Sequence, residues 1–168
     1  MSYKETTFER IYQTNFRRVY SFLYKLCHDE DTAEELTQET FYQAYKSLGR
    51  YSGECDIFTW LAAIAKNMFL KHLRRMRKES LVIDLYVTEP ESPLSEDPGY
   101  RLTREIEVKD LRRAIRSVPK KYSDVLILRV YGELPFREIA AQMGITENSA
   151  KVIYYRAKNM IREILFHA

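Results

Sequence analysis

Apolar positions recur every three or four residues along most of the chain, the spacing that gives a helix one buried stripe. Phe8, Ile11, Tyr12, Phe16, Val19, Tyr20, Leu23 and Leu26 keep this period and predict a long first helix. Thr32-Ala33-Glu34-Glu35 has the form of a capping box, in which Thr32 accepts from the Glu35 amide while the Glu35 carboxylate reaches back. It predicts a second helix with Ala33, Leu36, Thr40, Phe41, Ala44 and Leu48 inward and Glu34, Glu35, Gln38, Glu39 and Gln43 outward. Gly49 is placed to stop it. A third helix is expected from about Phe58 to Lys78, with Leu61, Ile64, Ala65, Met68 and Phe69 on its core face.

Four more helices are predicted towards the C-terminus. The first carries Ile106, Val108, Leu111 and Ile115 and ends at Pro119; the second runs from about Tyr122 to Tyr131 and stops at Gly132. Pro135 to Met143 forms a short helix closed by Gly144, and Thr146 caps a last helix that reaches Arg162 or beyond. A short helix, a glycine-led turn and a second helix is the helix-turn-helix arrangement, whose second helix enters the major groove. Ala150, Ile153, Ala157, Ile161 and Ile164 or Leu165 would then face inward, while Asn148, Ser149, Lys151, Val152, Tyr155 and Arg156 project from the leading end.

Between these helical blocks the pattern breaks. Leu81 to Tyr100 holds Pro90, Pro93, Pro98 and Gly99 among five acids and no Lys or Arg, a composition that buries too little apolar surface to offset the entropy of ordering. The chain therefore reads as all-α: two small helical domains, residues 1–80 and 101–168, joined by a flexible acidic linker at residues 81–100. Its 168 residues suffice for two such domains.

Charge sharpens the picture. The net charge is only +3, yet from His28 to Tyr45 there are six acids and no Lys or Arg, and from Ile57 to Lys78 six bases and no acid. The first stretch suits a basic partner and the second a polyanion. On the third helix Asn67, Lys71, Arg74 and Lys78 all fall within about 40° of Trp60, with Arg75 beside them. Cations meet phosphates, an aromatic ring stacks on an unpaired base and an amide reads a base edge, so the stripe suits nucleic acid, single-stranded in particular.

Other chemistry finds little support. His28, His72 and His167 are scattered, Cys27 and Cys55 match no paired metal spacing, and the acids of residues 29–39 lie on an ordinary amphipathic helix. No catalytic residue, metal site or cofactor is expected, and Cys27 reads as a small buried hydrophobe. No apolar run approaches the roughly 20 residues that span a bilayer, and Met1 to Glu5 has no apolar signal region, so a cytoplasmic protein without membrane insertion is expected.

Both halves resemble one family, the bacterial RNA polymerase sigma factors of the extracytoplasmic-function (ECF) group. Asp31 to Phe41 is similar to that family's D-x-A-E-[DE]-L-x-Q-E-x-F in region two, and Trp60 to Asn67 to its W-L-x-x-I-A-x-N. Val118 to Tyr122, Glu138-Ile139-Ala140, and Lys151 with Arg156-Ala157 resemble region four. The resemblance implies that Glu34, Glu35, Gln38 and Glu39, supported by Leu36 and Phe41, bind core RNA polymerase. It implies that the Trp60 stripe melts and holds the minus-ten element of promoter DNA, and that the last helix reads the minus-thirty-five element. An anti-sigma factor is a further partner that the family implies. Lys71 stands where the family commonly has Asp, and Asn148 to Tyr154 replaces its usual G-T-V-K-S-R-L, so the architecture carries over and the promoter letters do not. The rival reading, a stand-alone helix-turn-helix regulator, accounts for residues 101–168 but leaves the acidic second helix unexplained.

Overall fold

The computed structural model describes residues 2–83 and 109–167, with the side chains of 2–77 and 109–167. Among the described residues every regular element is helical: α1 (Tyr3–Cys27), α2 (Glu30–Ser47), a 3₁₀ turn (Leu48–Arg50), α3 (Ile57–Ile83), α4 (residues 109–117), α5 (Lys120–Val130), α6 (Phe136–Met143) and α7 (Glu147–His167). The all-α, two-part architecture expected from the sequence is the one observed.

Helices α1, α2 and α3 pack pairwise into a bundle around Val19, Phe22, Leu23, Leu26, Ala33, Leu36, Phe41, Leu61, Ala65 and Phe69. Rings from α1 and α2 close its open end, with Phe8, Tyr12 and Phe16 all against Phe41. Thr37 and Thr40 are buried polar residues in the bundle, and their hydroxyls donate to the carbonyls of Ala33 and Leu36, one turn back.

Two boundaries differ from expectation. The second helix begins one turn early, because Asp29 and not Thr32 is its cap: the Asp29 carboxylate accepts from the Thr32 amide at 2.8 Å. An ionised carboxylate at the positive end of a helix is a stronger acceptor than a hydroxyl. Hydrogen bonding from Thr32, through its hydroxyl first and its amide second, is the main reason the Asp29 pKa lies below the usual carboxylate value. The third helix runs on to Ile83, past the expected start of the linker, since Leu81, Val82 and Ile83 are compatible with helix and no Pro occurs before Pro90. The rest of the proposed linker lies outside the described residues, as do Ile106, Val108 and the side chain of Lys78.

In the second half, α5 and α6 pack on α7 around Val125, Ile127, Leu128, Ile139, Ala150, Ala157 and Ile161, with Ala114 and Ile115 of α4 also buried. The turn between α6 and α7 is built as predicted. Gly144 sits at φ 68°, and its amide and that of Ile145 both donate to the Ala140 carbonyl. Thr146 Oγ1 then accepts from the Ser149 amide at 3.1 Å to open α7. An added Cβ at Gly144 would meet nothing within 4 Å, so the demand for glycine is conformational. Gly144→Ala is accordingly expected to cost about 1 kcal/mol, the left-handed penalty of an L-residue, read from the urea unfolding midpoint.

The two bundles touch. Helix α3 packs against α5 and α6, and the buried apolar residues form one continuous cluster across both halves.

Candidate nucleic-acid interface

The stripe predicted on α3 is present on the surface. Asn67, Lys71, Arg74 and Arg75 are exposed along one side of the helix, and Trp60, half-buried at its start, heads the row. The core face beneath is as expected, with Leu61, Ala65 and Phe69 fully buried and Ile64 and Met68 partly so. The loop before α3 holds Trp60 in place. The Tyr51 ring lies 5.4 Å from the indole, centroid to centroid, and the Tyr51 hydroxyl donates to the Cys55 carbonyl at 2.6 Å. The contact of Tyr51 with Trp60 depends on the path of the loop and is not legible in the sequence.

On α2, Glu34, Glu35, Gln38 and Glu39 are exposed, while Leu36 and Phe41 are buried in the bundle. Gln43 Nε2 donates to Glu39 Oε1 at 3.0 Å. The acidic ridge and the basic stripe meet along a crevice of about 120 Å³ lined by Glu35, Leu36, Glu39, Met68, Lys71, His72 and Arg75. A polycation that took the acids would thus lie beside a polyanion that took the bases. Sequence alone keeps these two patches on separate helices and does not reveal the shared border.

On α7 the leading residues divide. Asn148, Lys151, Val152, Tyr155 and Arg156 are exposed, whereas Ser149 is partly covered and bonded to Thr146 Oγ1 through its amide and its hydroxyl. Ser149 is thus engaged in the cap. Inward, Ile164 is partly buried and Leu165 exposed, which settles the pair left open by the sequence. Behind the recognition helix, Phe136 of α6 packs edge-on against Tyr154, and the Arg129 guanidinium covers Phe136 at 4.3 Å while donating to the Leu134 carbonyl. These contacts fix the angle between the two helices of the motif.

Two local environments bear on chemistry. Burial pushes the Cys27 thiol up to about 11, so at neutral pH it is a protonated, inert core group. Among the described residues no group of three or more His, Cys, Asp or Glu could hold a metal ion. No described helix is long and apolar enough to cross a membrane.

Residues 11–79 match the family described as Sigma-70 region 2, and residues 109–161 match Sigma-70, region 4. Relatives span nearly the full chain: the ECF RNA polymerase sigma factor SigM of Bacillus subtilis is 28% identical over 94% of both chains. RNA polymerase sigma factor YlaC of the same organism is also 28% identical, over 89% of this chain and 87% of its own. The chain belongs to the ECF group of the sigma-70 family. The fold agrees. The sigma factor RpoE of Bartonella quintana, solved with the anti-sigma factor NepR, superposes with a TM-score of 0.56 at 21% identity over 95% of this chain and 96% of that one. CnrH, solved with the cytosolic domain of CnrY, gives 0.58 at 14% identity, over 96% of this chain and 88% of its own.

A sigma factor directs promoter-specific transcription initiation, and that is the function of this chain. A stand-alone helix-turn-helix regulator would leave the match over residues 11–79 without a role. In this sigma factor the boundary between regions two and four is not empty. The Lys66 ammonium of α3 lies 3.0 Å from the Asp124 carboxylate of α5, with 4% and 9% of the two side chains exposed. Burial pushes the Lys66 pKa down, and Asp124 opposes that shift. Asp124 also receives a hydrogen bond from Lys120 at 2.7 Å.

Proposed function

We propose that this sigma factor divides its work among three surfaces and performs no chemistry of its own. Glu34, Glu35, Gln38 and Glu39 bind a basic element of core RNA polymerase. Trp60, Asn67, Lys71, Arg74, Arg75 and Lys78 take the non-template strand of the minus-ten element, with Trp60 stacking on an unpaired base and the cations on phosphates. Asn148, Ser149, Lys151, Val152, Tyr155 and Arg156 serve the minus-thirty-five duplex, Lys151 and Arg156 at phosphates and Asn148 or Tyr155 near base edges. Capturing a flipped base offsets an unstacking cost of a few kcal/mol, so melting needs no hydrolysis by this chain.

The observation that carries this reading is the adjacency of an exposed acidic ridge and an exposed aromatic and cationic stripe on neighbouring helices. The residue ranges 1–80 and 101–168 act as the two modules, with residues 81–100 as the tether that lets polymerase set their separation. The protein works in the cytoplasm, where polymerase and promoter are. An anti-sigma factor is its expected regulator, a partner of the kind that RpoE has in its complex with the anti-sigma factor NepR.

Run-off transcription from a genomic library with core polymerase, with and without the chain, tests the reading: new start sites are expected only when both are present. Glu39→Lys is expected to weaken core binding about 10-fold in a pull-down while leaving the unfolding midpoint within about 0.5 kcal/mol, as for an exposed residue. Core binding unchanged by that reversal would remove the acidic ridge from the proposal.

A further inference from the structure

We propose that the groove between the first turns of α1 and the 3₁₀ turn after α2 takes a second unpaired base of the non-template strand, next to the base that stacks on Trp60. The inference rests on the function proposed above and adds a site to it. Tyr3, Thr7 and Ile11 form one wall of the groove, and Leu48, Gly49 and Tyr51 the other. Recurring every four residues, the first three share one edge of α1, a different edge from that of Phe8, Tyr12 and Phe16, which pack on Phe41 of α2. The space between the walls is about 410 Å³. Small-ligand sites run from about 300 to 1,000 Å³, so there is room for one base with its sugar.

Both walls are set before any ligand arrives. The first turn of α1 is fixed by a reciprocal cap: Ser2 Oγ accepts from the Glu5 amide at 3.2 Å, and the Glu5 carboxylate accepts from the Ser2 amide at 2.7 Å. That cap holds the backbone of Tyr3 at the mouth of the groove, although the residue is 89% exposed. Opposite, the Tyr51 amide donates to the Leu48 carbonyl at 3.2 Å and the Tyr51 hydroxyl to the Cys55 carbonyl at 2.6 Å, so the ring is tied at both ends. Gly49 leaves the stretch between Leu48 and Tyr51 bare, and an added Cβ there would meet nothing within 4 Å. Walls ordered in advance lower the entropic cost of binding.

Three observations select a base as the occupant. Tyr51 is shared: its ring lies 5.4 Å from the Trp60 indole and also forms part of the groove wall. Bases on a stacked strand are about 3.4 Å apart, and further apart when splayed, so the groove lies within one or two nucleotides of a base on Trp60. The lining, secondly, combines two tyrosine rings with aliphatic Ile11 and Leu48 and one hydroxyl, that of Thr7. Such a set stacks on a base and offers its edge one polar contact. Thirdly, no acid is among the lining residues, whereas Lys4 is an exposed member of them and Arg50 is exposed between Gly49 and Tyr51. These cations suit the phosphates of a passing strand. An apolar side chain of a protein partner would fill the walls and leave the cations unused. Holding two bases instead of one also offsets a second unstacking step during melting.

Abasic scanning tests the site, with holoenzyme assembled from core polymerase and the full chain on a fork-junction probe of a promoter found by run-off transcription. Each non-template nucleotide of the minus-ten region is replaced in turn by an abasic site. Two nearby positions are expected to weaken binding by about 5-fold or more, one dependent on Trp60 and the other on the groove. Tyr3→Ala is expected to weaken binding of the intact probe about 5-fold and to abolish the sensitivity of the second position while the first keeps its own. Thr7→Phe, which fills the groove, is expected to do the same by exclusion. Trp60→Ala is expected to give the reverse pattern. Because Tyr3 is exposed, its removal should leave the unfolding midpoint unchanged; if Thr7→Phe lowers that midpoint, Tyr3→Ala decides alone. A second position whose sensitivity survives in Tyr3→Ala would overturn the proposal, and so would a wild type with one sensitive position only. Weaker core binding by the groove variants would make the groove a protein-docking surface and overturn it as well. If Trp60→Ala alters no position, Trp60 leaves the proposed function, while the groove is still judged by its own position and variants. Failure of the wild-type holoenzyme to bind the probe would overturn the proposed function, and the groove's role with it.

Discussion

Replacing Trp60 with alanine is expected to lower open-complex formation 10- to 100-fold while leaving core polymerase binding within a factor of two. Stacking of one base on an aromatic ring contributes about 1–3 kcal/mol, and each 1.4 kcal/mol is tenfold. Permanganate reactivity of the melted strand reads the effect. Trp60 also packs on Tyr51 and on the core, so loss of stability must be separated from loss of stacking. Trp60→Tyr does this, because it keeps a ring for the base; it should recover most of the activity. Lys71→Glu is expected to fail differently. It removes a cation from the stripe, so the slope of binding against salt should fall by about 0.7 for the one phosphate no longer neutralised on a single strand, whereas Trp60→Ala should leave that slope unchanged. Identical salt slopes in the two variants would mean that Lys71 does not touch a phosphate.

Phe69→Ala is expected to destabilise the chain by about 3–5 kcal/mol, the range for truncating a buried phenylalanine. Phe69 is 1% exposed, at the centre of the bundle made by α1, α2 and α3. A domain of ordinary stability has roughly 5–15 kcal/mol in total, so this loss removes a large share. The urea midpoint should fall accordingly, and both core binding and promoter melting should be lost together near body temperature. That joint loss is the signature of unfolding, and it contrasts with the selective losses expected for Trp60→Ala and Glu39→Lys. Phe69→Leu, which keeps most of the volume, should recover most of the stability. A loss below about 1 kcal/mol for Phe69→Ala would mean that the bundle collapses around the cavity and is less tightly packed than its burial implies.

The places where the helices departed from expectation have local causes. Two residues could cap α2, Asp29 and Thr32, and the capping-box pattern drew attention to the weaker one. The carboxylate won because it also interacts with the positive helix end, and Glu30 and Asp31 then fill the favourable first turn. The run of bases ends at Lys78 and the helix does not, because composition is a poor guide to where a helix stops when no breaker is present. The recognition turn was legible almost atom for atom, since Gly144 and Thr146 carry conformational and hydrogen-bonding demands that few other residues meet. Ser149, which projects near the head of α7, is by that same position a partner of Thr146, a pairing the sequence reading did not include.

What the sequence by itself determined was the main buried face of α1, α2, α3 and α7 and the two sets of motif residues that place the chain in its family. Both are written in spacings of three to eleven residues, and helix geometry turns such spacings into faces without help from the rest of the chain. What only the tertiary structure decided was the fate of Lys66, Asp124 and Glu138. In sequence each is a charge on a helix that would ordinarily be wet. Lys66 and Asp124 are buried because surfaces far apart along the chain meet and exclude water around them, and the attraction between two charges becomes strong only once that water has gone.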